Sequence, residues 1–230
     1  MEIRRKTMQY GGNIGSKFYE DGSVRRYPGN TVVADVTPEN PAYDVMMQLR
    51  NMIKENDCEK YVILLPSDSY HMTVISGLND QVRDDAHWPP HLSKDLPMTE
   101  VDDYIEAAVS KFEMPRNIRM KFHRIAFGNH CMIARLTPAD EEQNKILRDY
   151  RDAVAREIGF KLPNHDNYTF HISLGYTHVI PEGEEKDRVN AVIEKMNALM
   201  AEQPEFVIPG PYMAFYNDMH YFSPTRLPRD

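Results

Sequence analysis

Ser69-Tyr70-His71-Met72-Thr73-Val74 and Thr169-Phe170-His171-Ile172-Ser173-Leu174 are the two stretches of sequence that decide the fold. Each contains a His-x-Thr/Ser tripeptide within a run of apolar, aromatic and β-branched residues that is typical of a strand. Side chains alternate between the two faces of a strand, so the histidine and the hydroxyl residue of each tripeptide share one face. Each strand is therefore predicted to have an apolar face for the core and a second face with an imidazole and a hydroxyl.

The spacing of these stretches suggests an internal duplication. His71 and His171 lie 100 residues apart, and so do the Thr-Pro pairs that begin at Thr37 and Thr137. We interpret each Thr-Pro pair as the N-cap and first position of a helix. A chance match is the alternative, because the helices between these anchors share little identity. If the halves are related by a pseudo-twofold axis, the two polar strand faces converge on a common cleft.

The rest of the pattern predicts the same order of elements in both halves. Residues 77–98 are polar and rich in proline, which predicts a long loop that is either a lid or a disordered connection. The predicted strands are 30–36, 61–65, 70–75, 118–127, 130–136, 168–176, 206–208 and 212–216, and the predicted helices are about 38–56, 99–112, 138–158 and 182–201.

Composition indicates a globular protein with a substantial core, since 41% of the 230 residues are hydrophobic and 27% are charged. We predict an N-terminal arm, 1–29, and a single bilobal domain, 30–230, with lobes of roughly 30–127 and 128–230. No apolar run follows the first residues, which predicts a cytoplasmic protein without a signal peptide or a membrane span. Cys58 and Cys131 lack a Cys-x-x-Cys context and are interpreted as buried thiols.

Charge argues against long nucleic acids as partners. The net charge is −8, of which residues 1–30 contribute +3, leaving −11 for the rest. Binding to long nucleic acid depends on clustered lysine and arginine, whereas small anionic substrates remain compatible with this distribution.

The paired tripeptides carry the groups that attack on phosphorus requires. Two histidines can serve as the base that activates the nucleophile and the acid that protonates the leaving oxygen. The hydroxyls of Thr73 and Ser173 can donate hydrogen bonds to the non-bridging oxygens. No carboxylate cluster or His-x-x-x-His spacing accompanies them, so neither a metal nor another cofactor is expected. The alternative is that each histidine only satisfies a hydrogen bond on a half-buried strand, but the shared spacing favours a site.

A third tripeptide, His91-Leu92-Ser93, is set apart by its context. It lies between Pro89-Pro90 and Pro97, in a segment that cannot be a central strand.

In these strand contexts, the paired motifs resemble the 2H phosphoesterase superfamily, which includes bacterial 2′-5′ RNA ligase-like proteins and cyclic phosphodiesterases. The resemblance covers roughly residues 30–216. It implies an α+β, duplicated bilobal fold with two antiparallel sheets around a central cleft and helices outside. It also implies a catalytic set made of His71, Thr73, His171 and Ser173. The segment from Gly15-Ser16-Lys17-Phe18 to Pro28-Gly29-Asn30-Thr31 resembles a less characterised branch with an extra N-terminal arm, which leaves the substrate open.

Further substrate-binding candidates are Lys17, Arg25, Arg26 and Tyr176. The three cations could place positive charge near a phosphate, with solvated surface as the alternative. Tyr176 could stack on a base, although its odd-numbered distance from His171 turns it away along an ideal strand. The same parity predicts core packing for the tyrosines at 70 and 168.

The function predicted from these residues and this resemblance is a metal-independent phosphodiesterase that hydrolyses a small, cyclic nucleotide-type phosphodiester. The expected partner is that small phosphodiester or nucleotide, with no membrane and no long nucleic acid. Two alternatives remain: a non-catalytic module that binds a nucleotide or phosphate, and an RNA-end processing enzyme, which would need a basic track.

Overall fold

The computed structural model describes residues 8–229; the part of the predicted arm at 1–7 lies outside the described residues. Most of the predicted elements are present with ends shifted by a few residues. None of the helices in the described range is long and apolar enough to cross a bilayer. The elements are β1 (Gly29–Asp35), α1 (Pro41–Glu55), β2 (Val62–Leu64), β3 (His71–Asn79), α2 (Met98–Val109), β4 (Ile118–Phe127), β5 (Cys131–Pro138), α3 (Glu141–Ile158), β6 (His171–Thr177), α4 (Glu184–Ala201), β7 (Phe206–Ile208) and β8 (Tyr212–Tyr216).

The strands form one antiparallel sheet in the order β7-β4-β5-β6-β3-β1-β8, with β2 paired to the end of β6. At its centre β3 meets β6 through the pair Met72 and Ile172. The α+β fold class is confirmed. The two antiparallel sheets expected from the resemblance are the two halves of a single sheet, and they are joined at this pair.

The helices pack on the face of the sheet that carries the apolar residues of both motif strands. Met72 and Ile172 are fully buried, as are Leu49 of α1 and Leu147 of α3, and all four belong to one core cluster. We call the opposite face, which carries the histidines, the motif face. The core therefore holds both motif strands from behind and leaves their polar residues toward the other side.

The predicted helix starts at the two Thr-Pro pairs are wrong by about three residues. The α1 helix is capped by Asn40, whose side chain accepts from the backbone amide two residues on. The α3 helix is capped by Asp140, which accepts from the amide three residues on. In each helix the side-chain oxygen of the cap satisfies a backbone amide of the first turn. Thr137 cannot be such a cap, because it is still part of β5. The two caps are themselves 100 residues apart, so the register of the halves is unchanged.

The two half-sheets exchange strands along the chain. The C-terminal strand β8 pairs with β1 of the first half, while β2 and β4 pair with β6 and β5 of the second half. The division into lobes of roughly 30–127 and 128–230 therefore stays a prediction, and the strand pairing interlocks the two segments.

The long loop between β3 and α2 is packed against the helical side. Trp88 is 1% exposed, donates through Nε1 to the carbonyl of Leu92 and lies under the guanidinium of Arg83. His91 forms a 2.8 Å hydrogen bond with the hydroxyl of Tyr104 on α2. These contacts hold the loop on the helices, away from the motif face.

The described part of the N-terminal arm lies over the second half-sheet and reaches the motif face. The amide of Gly11 donates to the carbonyl of His178, and a Cβ on this glycine would lie 2.1 Å from the carbonyl oxygen of Thr177. Further along the arm, Phe18 is fully buried in a second apolar cluster with Met219 from the C-terminal segment. The arm is thus part of the folded unit and covers one end of the motif face.

Candidate active site

The two tripeptides come together at the centre of the sheet. Counting outward from the pair Met72–Ile172 in an antiparallel register places His71 across from Ser173 and Thr73 across from His171. All four side chains are half-buried, whereas the apolar residues between them are fully buried. Two imidazoles and two hydroxyls therefore share one patch of the motif face.

Both imidazoles are held in the same tautomer. The Nδ1 of His71 lies 2.8 Å from the carbonyl oxygen of Ser69, and the Nδ1 of His171 lies 2.8 Å from that of Thr169. A carbonyl only accepts, so in each neutral ring Nδ1 carries the hydrogen and donates it. The Nε2 atom of each ring is left as the basic nitrogen, which is the requirement for proton transfer.

The two histidines have lowered pKa values. Burial lowers the pKa of His71 to about 4; the hydrogen bond to Ser69 opposes this shift, and charge on His171 adds to it. Burial also lowers the pKa of His171, against the bond to Thr169, and the neighbouring guanidinium of Arg135 lowers it further. Without a bound anion both rings are therefore neutral at pH 7, and an anion between them would favour a proton on one.

Aromatic rings supply much of this burial. Phe222, from the C-terminal segment, lies with its ring centroid 4.3 Å from that of His71. The ring of Tyr168 is 5.9 Å from that of His171, and its phenol shares a hydrogen bond with Thr73. The core packing predicted for Tyr70 and Tyr168 is confirmed, since they are 2% and 7% exposed, although Tyr168 also contacts the site.

A bulge in each motif strand changes which residues reach the motif face. Val33 and Val32 of β1 pair with Thr73 and Ile75, so β3 has one extra residue between them. In the other half, Ser173 and Gly175 of β6 pair with consecutive residues of β5, again with one extra residue. A bulge inverts the alternation beyond it, and the two bulges lie at positions 100 residues apart.

The inverted alternation corrects the parity prediction for Tyr176. This side chain lies on the motif face. The centroid of its ring is 4.9 Å from the ring centroid of Phe18 and 5.0 Å from the Nζ of Lys17. Sequence parity assumed an ideal strand, which the bulge interrupts. Tyr176 thereby shares the face of the histidines, but its ring is already packed against the arm.

The three basic candidates of the arm occupy different places. Lys17 lies against the rings of Tyr27 and Tyr176; burial opposes its charge, but these phenols outweigh it and raise its pKa. Arg25 stacks on Tyr19 at the surface of the arm. Arg26 binds the carbonyl of Arg229 and the carboxylate of Asp80. The structure brings only Lys17 next to a motif-face residue, and the binding roles of all three stay predictions.

Sequence reasoning missed two charged residues that flank the histidines. Asp35 of β1 is the cross-strand partner of His71, and Arg135 of β5 is the partner of His171. Burial raises the pKa of Asp35, although both carboxylate oxygens accept from the hydroxyl of Tyr212 at 3.0 Å. Asp35 and Arg135 are also 100 residues apart, so the spacing that relates the motifs could have found them.

One group of described side chains has the composition of a metal-ligand set. Atoms of Asp152, His165 and Asp166 lie within 4.8 Å of one another. The ammonium of Lys161 is 3.0 Å from Asp152 and 2.9 Å from Asp166, so a cation of the chain already neutralises these carboxylates. The group lies at the C-terminal part of α3, on the helical side.

Comparison with known proteins agrees with the fold. A family model of the 2H-phosphodiesterase type, described as a domain of unknown function (DUF1868), matches residues 17–130. The matched segment includes the first motif, and the second motif lies beyond it. Residues 17–130 thus match a 2H-phosphodiesterase-type model, and the resemblance seen in the sequence is confirmed over this segment. The description of the model identifies no substrate.

Among solved structures, a conserved protein of unknown function from Agrobacterium tumefaciens str. C58, ATU0111, is similar over 93% of this chain and 91% of its own. The two are 28% identical, with a TM-score of 0.82. The protein TT0787 of Thermus thermophilus aligns over 81% of this chain and 85% of its own at 11% identity, with a TM-score of 0.40, too low to compare folds. No curated protein matches the chain.

Proposed function

We propose that the protein is a metal-independent phosphodiesterase that hydrolyses a small, cyclic nucleotide-type phosphodiester by acid–base catalysis with two histidines. One observation carries the proposal: the Nδ1 atoms of His71 and His171 both donate to the carbonyl two residues earlier, on strands that pair at the centre of the sheet. A histidine with only a packing role has no need of this arrangement twice in equivalent positions.

The reaction needs two proton transfers, and the two Nε2 atoms supply them. One neutral imidazole takes a proton from water as its oxygen attacks phosphorus. The bond from phosphorus to the leaving sugar oxygen breaks, and the other imidazole, protonated at the start, gives its proton to that oxygen. The products are a phosphomonoester and a free hydroxyl on the same nucleotide. Both transfers are made by side chains of the chain, so no metal is required for the step.

The proposed mechanism gives the two rings different roles. Burial lowers the pKa of His71 to about 4, so this ring starts neutral, as a proton acceptor must. In the mechanism that we propose, the single proton of the pair is on His171. We assign His71 as the base and His171 as the acid, an asymmetry that the sequence did not resolve.

The hydroxyl residues hold the phosphate. Because Thr73 is across from His171 and Ser173 across from His71, each hydroxyl is next to the imidazole of the other strand. Hydrogen bonds from both to the non-bridging oxygens would place phosphorus between the two Nε2 atoms. The charge that builds up on those oxygens is then stabilised by donors already in position.

Turnover of a nucleoside 2′,3′-cyclic phosphate, followed by separation of the nucleotide products, tests the proposal. His71→Ala and His171→Ala should each lower the single-turnover rate by about 10²- to 10⁴-fold. The matched control is His123→Ala, an exposed histidine of β4, which should keep the wild-type rate. If the His71→Ala variant turned over like the wild type, the two-histidine mechanism would be wrong, and binding without catalysis would be the better account.

A further inference from the structure

Arg135 is a cation on the motif face whose charge has no partner. It is the cross-strand neighbour of His171, and its charge lowers the pKa of both His171 and Cys131. Within residues 8–229 it forms no ion pair or hydrogen bond, and its Nε is buried without a partner. A buried, unsatisfied guanidinium nitrogen is costly unless a ligand completes it.

Two other arginines with buried nitrogens do have hydrogen-bond partners in this fold. Arg151 also has an unsatisfied Nε, but it donates to the carbonyls of Val74 and His165. Arg148 donates to the carbonyl of Tyr168. These two are tied to the backbone on the helical side, whereas Arg135 faces the site without such a bond.

A second arginine strengthens the positive charge at this place. Arg124 of β4 is the direct cross-strand partner of Arg135, and it too forms no ion pair among residues 8–229. Like charges directly opposite one another destabilise a sheet. An anion between or above the two guanidinium groups removes that repulsion.

The equivalent position in the other half has the opposite charge. Asp35 occupies the place next to His71 that Arg135 occupies next to His171. A bound anion is therefore attracted to the His171 side of the site and repelled from the His71 side. The pseudo-twofold symmetry of the motifs is broken by this pair of charges.

We propose that Arg135 is the phosphate-positioning residue of the site, which holds the substrate phosphate beside His171, with Arg124 adding a second, exposed positive charge. The proposal rests on the proposed function only for the identity of the anion as substrate. Planar guanidinium groups bind two phosphate oxygens at once, which fixes orientation as well as position. The oxygen that leaves is thereby kept on the side of the protonated histidine.

Binding of inorganic phosphate, measured by isothermal titration calorimetry at low salt, tests this without turnover. Arg135→Met should weaken binding by about 10- to 100-fold, the loss of a charge-assisted hydrogen bond. Arg135→Lys should recover part of it, and Arg124→Met should cost only about 2- to 5-fold. The matched control is Arg156→Met, an exposed arginine in the last turn of α3, which should bind as the wild type does. Equal binding by wild type and Arg135→Met, equal losses in Arg135→Met and Arg156→Met, or no binding by the wild type would each overturn the proposal.

Two further measurements separate this proposal from the proposed function. In NMR titrations, the pKa of His171 should rise in Arg135→Met, because a neighbouring cation is gone; a residue that only supports the fold would not cause this. With the cyclic substrate, KM should rise in Arg135→Met. If phosphate binding depended on Arg135 but the protein did not turn over the substrate, the role of Arg135 would stand and the proposed catalytic function would be refuted. If the Arg135→Met variant were active with a normal KM, the catalytic function would stand and the role of Arg135 would be refuted.

Discussion

Acid should destabilise the folded protein through His71 in particular. The folded pKa of this ring is about 4 and its ordinary value is 6.5, so between these values the unfolded chain binds a proton that the folded chain does not. The contribution of His71 to stability is therefore complete above pH 6.5 and is lost as the pH falls toward 4. With about 1.4 kcal/mol per pKa unit, the loss between pH 7 and pH 4.5 is about 2.5 kcal/mol.

His71→Gln isolates this contribution. Glutamine does not titrate, and its amide can still donate toward the carbonyl of Ser69. Urea unfolding at pH 7 and pH 4.5 should show that the variant loses about 2.5 kcal/mol less free energy of unfolding than the wild type. His123→Gln, which replaces an exposed histidine, should lose as much as the wild type does. Titration of His165 contributes equally to all three proteins and cancels in the comparison.

The same pKa should appear in the kinetics of the free enzyme. If His71 is the base and His171 the acid, kcat/KM should rise as the pH falls from 7, because His171 then gains its proton, and should decline only near pH 4, where His71 is protonated. Equal acid sensitivity of His71→Gln and wild type in urea, together with a kinetic acid limb near 6.5, would refute the reasoning. Such a result would mean that His71 is solvated and not held by Ser69 and Phe222.

Three other outcomes are expected. Thr73→Ala and Ser173→Ala should each lower the rate by less than either histidine variant, on the order of the loss of one oxyanion donor, 10²-fold or somewhat below, as single-turnover rates would show. Phe222→Ala should hydrate His71 and raise its pKa, which moves the acid limb of kcat/KM to higher pH; an unchanged limb would mean that this ring does not control the desolvation. Activity should be complete in EDTA, and a loss restored by Mg²⁺, Mn²⁺ or Zn²⁺ would contradict metal independence.

The sequence was sufficient for the fold class and for the four motif residues as candidates. Period-two alternation around His71 and His171 is a local property, since a strand with one buried face needs apolar residues at every second position. The 100-residue spacing then predicted two equivalent halves. The same spacing holds for the helix caps Asn40 and Asp140, although the helix starts themselves were placed too early.

Tertiary structure decided what surrounds those four residues. The bulges that turn Tyr176 toward the motif face depend on how neighbouring strands register, which no single strand specifies. The charges beside the histidines, Asp35 and Arg135, come from strands far away in the chain. Low pKa values arise from burial by segments such as Phe222, which the chain brings in only when it is folded. Alternation along a strand is determined by consecutive residues, whereas strand register, burial and cross-strand charge are properties of the assembled sheet.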